Sequence, residues 1–199
     1  MGTLEFLKLV LPSQGQTVLG LVQIKDDGGS WFKWKNYPNA EEAARAALIF
    51  DGRGETVYFG VNSFGDWYTD DKTGKRRIRT QENVVACRSL FDDFDVDVEK
   101  KDAYDTKAEA LEGVIELAKA LRLTPSIVNS GGGYHSYIHL EEDITTQVWE
   151  ELSAMKRDIT MHLQIKADRA VDSDTSRILR PIGVHNRKYD PPRPVELVK

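Results

Sequence analysis

Three groups of side chains in this sequence are of types that carry chemistry. The first is Leu90-Phe91-Asp92-Asp93-Phe94-Asp95-Val96. On an extended strand, Asp93 and Asp95 project from one face, where two carboxylates can share a divalent cation and would repel each other without one. Asp95 and Asp97 have the same spacing, so spacing alone leaves the register open. A solvated edge strand would also tolerate such acids, but the apolar residues on the opposite face favour a strand in the body of a sheet. The second group is Ser130-Gly131-Gly132-Gly133-Tyr134-His135. Its glycines let backbone come close to a ligand and leave N–H groups free as an anion nest. No Gly-Lys-Ser/Thr follows, so it is not a P-loop. His135 would stand at the mouth of this turn beside a phosphate, whereas His139 reads as a structural strand histidine. The third group sets Asp168, Asp172 and Asp174 ahead of Arg177, Arg180, Asn186 and Lys188. The arginines offer bidentate forks and Lys188 a point charge, which suits a triphosphate or a nucleic-acid backbone. A surface salt-bridge network would use the same residues.

Charge and composition narrow the setting. The 27 Lys and Arg against 32 Asp and Glu give a net charge of −5, the wrong sign for a chain that wraps a polyanion with its whole surface. The distribution carries more information than the sum. Carboxylates crowd between Asp92 and Glu109, while cations collect at Lys75, Arg76, Arg77 and Arg79 and again from Arg177 to Arg193. An acidic focus flanked by basic tracts is what a metal-dependent enzyme acting on phosphates needs. With 40% hydrophobic and 30% charged residues the chain is globular rather than disordered. No apolar run approaches the roughly 20 residues of a membrane span, and the first ten residues carry Glu5 and no small-residue cleavage site, so a cytoplasmic location without membrane contact is expected. Cys87 is the single cysteine, which leaves oxygen or imidazole to hold any metal.

The elements that must position these groups follow from periodicity. Phe6 to Leu11 is a short apolar opening, Val18 to Ile24 reads as a strand, and Trp31 to Trp34 as its hairpin partner across Asp26-Asp27-Gly28-Gly29-Ser30. Asn39 caps a helix running to Ile49, with Glu41 and Glu42 in its first turn. Thr56 to Val61 is a strand, and Gly65 to Thr80 a long polar loop. Arg88 to Val98 alternates, with Leu90, Asp92, Phe94, Val96 and Val98 on one face and Phe91, Asp93, Asp95 and Asp97 on the other. Thr106 and Glu109 form a capping box for a helix over 106–121. Ser126 to Asn129 and Tyr134 to Leu140 are strands, and Val148, Leu152, Met155 and Ile159 mark the buried face of a further helix. This order predicts one α+β domain over 1–199. It would have an N-terminal α/β lobe at about 1–85 and, at about 86–190, a catalytic sheet like that of the RNA-recognition motif, with packed helices and the acidic strand central.

Taken together, the three groups resemble the archaeo-eukaryotic primase superfamily, and within it the primase-polymerase domains of phage and plasmid replication proteins. The resemblance rests on the acidic pair in a hydrophobic strand, the Ser130 to His135 turn, and Asp168 upstream of Arg177-x-x-Arg180-Pro181-x-Gly183-x-x-Asn186-x-Lys188. Asp92 departs from it, standing where the family has an apolar residue. The resemblance implies that Asp93, Asp95 and Asp168 hold two Mg²⁺ or Mn²⁺ ions for template-directed nucleotidyl transfer. It implies that Ser130, Gly132, Gly133, His135, Arg177, Arg180, Asn186 and Lys188 bind the dNTP or NTP, and that Lys75, Arg76, Arg77 and Arg79 follow the nucleic-acid backbone. Single-stranded DNA template and primer are the implied partners, with a fused or associated helicase, in the cytoplasm of a microbial or phage-infected cell. The chain is expected to be the N-terminal part of a longer replication protein.

Other chemistries use parts of this set. Asp93-Phe94-Asp95 is similar to the nucleophile motif of haloacid-dehalogenase-type phosphatases, which would leave the glycine turn without a role. A replication-initiator nickase wants two histidines two residues apart, and His135 and His139 are four apart. A non-catalytic single-strand binder would not need the acidic face.

Overall fold

The computed structural model describes residues 1–24 and 29–198. In chain order the helices and strands are α1 (Thr3–Val10), β1 (Thr17–Ile24), β2 (Ser30–Tyr37), α2 (Ala40–Gly52), β3 (Thr56–Gly60), β4 (Ser63–Phe64), β5 (Tyr68–Thr69), β6 (Arg76–Arg77), β7 (Val84–Phe94), α3 (Lys107–Leu121), β8 (Ser126–Asn129), β9 (Tyr134–Ile144), α4 (Thr146–His162), β10 (Ile178–Leu179), β11 (His185–Asn186), β12 (Arg193–Pro194) and β13 (Glu196–Leu197). The tip of the β1–β2 hairpin, residues 25–28, lies outside the described residues. The predicted caps are present. Asn39 accepts from the Glu42 N–H at 2.9 Å, and Thr106 and Glu109 bond reciprocally at 3.2 and 3.1 Å.

Two antiparallel sheets form the body. One has the order β10-β3-β1-β2 and the other β13-β8-β9-β7-β4. Strand β10 lies far along the chain, beyond the acidic strand, yet it completes the first sheet by pairing Ile178 with Gly60 and Leu179 with Phe59. Helix α1 joins the two sheets through Phe6, which meets Phe59 of the first edge-on at 6.0 Å and Tyr137 of the second at 5.2 Å. One continuous apolar cluster therefore spans both. The basic tract expected as a loop contains a small hairpin, β5 paired with β6.

Two expectations are corrected. The acidic strand ends at Phe94 and does not reach Val98. Beyond it Asp97 N–H bonds Tyr104 C=O at 2.9 Å and Tyr104 N–H bonds Asp95 C=O at 3.0 Å, so the chain leaves the sheet to pair with its own next segment. Asp95 thus sits just past the strand, and Val98 is exposed.

Helix α4 turns a partly different face inward: Leu152 and Ile159 pack against the core as expected, but Val148 and Met155 do not. Val148 and Met155 are 41% and 64% exposed, while Trp149, Ser153, Lys156 and Thr160 are buried. The reason is an ionic cluster. Lys156 Nζ bonds Asp92 Oδ1, Asp172 Oδ1 at 2.5 Å and Phe91 C=O at 3.2 Å, and Ser136 Oγ donates to Asp92 Oδ2 at 3.0 Å. Burial works against the Lys156 charge, but the two carboxylates outweigh it and raise its pKa. Trp149 adds a 2.9 Å bond from Nε1 to Ser89 C=O, so α4 is tied to β7 at Ser89 and again at Phe91 and Asp92.

Phe6→Ala is expected to cost about 3–5 kcal/mol in chemical denaturation, because the ring contacts both sheets and neither can collapse into the space. Lys156→Met should cost a similar ~3–5 kcal/mol by leaving two buried carboxylates unpaired. Most of that loss should return in a triple variant that adds Asp92→Leu and Asp172→Leu. An unchanged denaturation midpoint for Lys156→Met would mean that the carboxylates find other partners.

Candidate active site

The site lies where the end of β7 faces the start of β9. Antiparallel register sets Asp93 opposite His135, with Asp93 Oδ1 3.8 Å from His135 Nε2. Asp168 reaches the same place through its backbone, its N–H bonding the Asp93 C=O at 2.9 Å. Arg177 then lies between the two acids, its NH2 2.6 Å from Asp168 Oδ2 and 3.6 Å from Asp93 Oδ2. These groups line a cleft of about 530 Å³ together with Asp95, Arg79, Arg180, Lys188 and the Ser130 turn. A second depression of about 700 Å³ opens on the other side of Asp95 and Asp168, with Lys100, Lys101, Lys166 and Arg169 on its walls.

The electrostatics are those of a carboxylate group seeking positive charge. Burial, reinforced by Asp95 and Asp168 and opposed by Arg177 and Arg180, pushes the Asp93 carboxyl up to about 7. His135 is driven down to about 3 by burial, reinforced by Arg180 and Arg177, so its imidazole is neutral at neutral pH. It therefore offers a hydrogen bond without adding charge. Among the described residues no three His, Cys, Asp or Glu side chains are grouped closely enough to hold a metal ion. The reason is local: Asp95 is held by Lys100 at 3.1 Å, and Asp168 by Arg177. By donor chemistry, three carboxylates on one cleft suit Mg²⁺ or Mn²⁺.

The two choices that spacing left open have distinct surroundings. Asp97 lies 3.8 Å from Lys100 and does not line the cleft, whereas Asp93 and Asp95 do. Asp172 is buried against Lys156, whereas Asp174 also lines the cleft and accepts bonds from Ser176 N and Oγ at 3.0 and 2.7 Å. Of the three, Asp168 is the one whose carboxylate pairs with Arg177, which also faces Asp93.

The glycine turn differs from an open anion nest. Gly131 adopts φ +87°, which requires glycine, but its N–H bonds Asn129 Oδ1 at 3.0 Å, and the Gly133 N–H bonds Ser130 Oγ at 3.2 Å. A Cβ on Gly133 would overlap the Phe94 carbonyl oxygen, so this glycine serves the close approach of β7 and β9. Asn186 braces the turn by donating to Ser130 C=O at 2.8 Å. Arg180, only 7% exposed, bonds Tyr58 Oη and lies 4.5 Å over its ring. Of the first basic tract, Arg79 lines the cleft, while Lys75, Arg76 and Arg77 sit on or beside the β5–β6 hairpin. His139 bonds Ser126 Oγ at 2.8 Å and stays structural.

Sequence reasoning missed Phe32, Tyr58 and Tyr189, which line the cleft. In sequence the first two are ordinary strand aromatics. It also missed Asp51, whose carboxylate takes His185 at 2.8 Å and Arg187 at 2.9 Å and fixes the segment that carries Asn186 and Lys188.

No protein-family model and no curated protein sequence matches the chain. Solved structures do. The chain is similar to the primase RepB′ with a TM-score of 0.56 at 14% identity, covering 99% of this chain and 56% of that one, so it spans just over half the length of that protein. The catalytic domain of the same primase in complex with initiator DNA matches at TM-score 0.56 and 14% identity, over 100% of this chain and 85% of that one. The chain therefore shares the fold of the catalytic domain of the primase RepB′.

Proposed function

We propose that this chain is a DNA primase-polymerase catalytic domain that joins nucleotides on a single-stranded DNA template. The observation that carries the reading is the cluster of Asp93, Asp168 and Arg177 at the end of β7, facing a buried neutral His135 in a cleft walled by Arg180 and Lys188. The fold of a primase catalytic domain solved with initiator DNA supports it.

Asp93, Asp95 and Asp168 would hold two Mg²⁺ or Mn²⁺ ions, which supply activation of a 3′-hydroxyl and charge stabilisation at the transferred phosphate. The chain's own residues do the rest. Arg180 and Lys188 bind the triphosphate, Arg180 as a fork held rigid on Tyr58 and Lys188 as a point charge. Neutral His135 orients a phosphate oxygen without competing with the carboxylates for a proton. Ser130 and Asn186 keep the glycine turn closed behind it. Template and primer, a dNTP or NTP, and a helicase partner complete the reading, in cytoplasmic phage or plasmid replication.

Primer extension on single-stranded DNA, with dNTPs or NTPs and Mg²⁺ or Mn²⁺, tests it. Asp93→Ala, Asp95→Ala and Asp168→Asn are each expected to lower transfer by several orders of magnitude while the chain stays folded. Extension by Asp93→Ala near the wild-type rate would refute the assignment. His135→Ala should raise the nucleotide KM and lower kcat/KM by about 100-fold, as loss of one preorganised donor does. An unchanged KM would remove His135 from the nucleotide site.

A further inference from the structure

On β2, Phe32, Trp34 and Asn36 alternate onto one face, successive side chains leaving the strand about 6.8 Å apart. Each belongs to a couple of flat ring and guanidinium. Phe32 meets Tyr58 edge-on at 5.6 Å, and Arg180 lies 4.5 Å over Tyr58. Trp34 stacks on Phe32, 5.0 Å between centroids and 13° apart, and Arg79 lies 4.7 Å over it. Asn36 accepts a 2.9 Å bond from Trp67 Nε1, and Arg76 lies 5.3 Å over the Trp67 ring. Gly20, opposite Trp34 on β1, makes room for this: a Cβ there would come within 2.5 Å of the Trp34 ring and 3.1 Å of Phe32.

Two of these guanidiniums are incompletely satisfied. Arg79 Nε and Arg180 Nε are buried without a hydrogen-bond partner, and both side chains line the cleft. A buried donor left unpaired is costly, so each calls for an acceptor from a ligand. The couples thus form a line of rings and guanidiniums from the β5–β6 hairpin into the cleft.

We propose that this face of β2 is a track for single-stranded nucleic acid. Each couple takes an unpaired base against its ring or guanidinium and an adjoining phosphate on its charge. The spacing of two strand residues is comparable with the reach of one extended nucleotide. An acidic peptide would engage the charges but gain nothing from the aligned rings. The direction of the track, with template entering the cleft at Tyr58, rests on the proposed nucleotidyl-transfer reading; binding along it does not.

The test uses Asp93→Asn protein, so that binding is read without turnover. An oligothymidylate carrying 5-iodouracil is photocrosslinked and the peptides mapped, and affinity is followed by fluorescence anisotropy over a salt series. Crosslinks are expected in the peptides holding Phe32, Trp34 or Trp67. Phe32→Ala should weaken binding about 5- to 100-fold. Arg76→Gln, on an exposed hairpin where it cannot unfold the chain, should reduce the slope of log affinity against log salt by about 1. Crosslinks confined to residues 100–103 and 164–170 of the second depression would overturn the track. So would unchanged affinity and slope in both variants. If wild-type protein shows these binding signatures but transfers no nucleotide, the catalytic reading fails and the track stands.

Discussion

The Lys156 ammonium is the constraint on which the site depends. It is buried within α4 and satisfied by Phe91 C=O, Asp92 and Asp172, so one charge fixes the end of β7 and the short helical turn at 171–173. As a source of stability it is a poor bargain, since desolvating three charges offsets much of their attraction and an apolar trio would pack at least as well. Its effect is on register. Asp92 and Asp93 are adjacent, and a slip of one residue would exchange the buried acid for the one in the cleft. With an apolar residue at 92, pattern alone would separate the faces. Here two acids compete, and Lys156 together with Ser136 selects Asp92 for the interior.

That selection accounts for how the sequence could and could not be read. Caps were legible because they rest on contacts within a few residues, as at Asn39 and Thr106. The β1–β2 pairing and the grouping of the acidic strand, glycine turn and arginines were legible because each motif is local and their order is informative. The buried face of α4 was legible only in part, at Leu152 and Ile159. Apolar spacing favours Val148 and Met155, and nothing near Lys156 in sequence reveals that its partners lie 64 residues upstream and 16 downstream. The end of β7 at Phe94 was hidden for a similar reason, since alternation continues to Val98 while the backbone has already turned to Tyr104. The glycine turn looked like an open nest because sequence shows Asn129 and Ser130 beside the glycines but not that their side-chain oxygens take the N–H groups of Gly131 and Gly133.

The net charge of −5 fits the same geometry. Cations are placed where ring faces and carboxylates can hold them, and the surface elsewhere is free to be acidic. Arg79 and Arg180 each lie over an aromatic ring, which orients a guanidinium without neutralising it. Arg177 is different, because it is spent on Asp93 and Asp168. The cleft thus contains cations that balance its own acids, Arg177 and Lys100, and others kept available.

The cleft is also a seam. Asp93 and His135 belong to the sheet built on β7 and β9, whereas β10, which Arg177 and Arg180 flank, is a strand of the other sheet. The Val61 N–H bonds Arg177 C=O at 3.1 Å, so the arginine is fixed to the first sheet while its side chain crosses to acids of the second. The spacing between acid and cation is therefore set by how the sheets are packed, and that packing is set by α1 through Phe6. A cavity in that wedge should reach the site by altering the seam, even though Phe6 lines no part of the cleft. Helix α1, which the sequence showed only as a short apolar opening, is in this sense a determinant of the site's geometry.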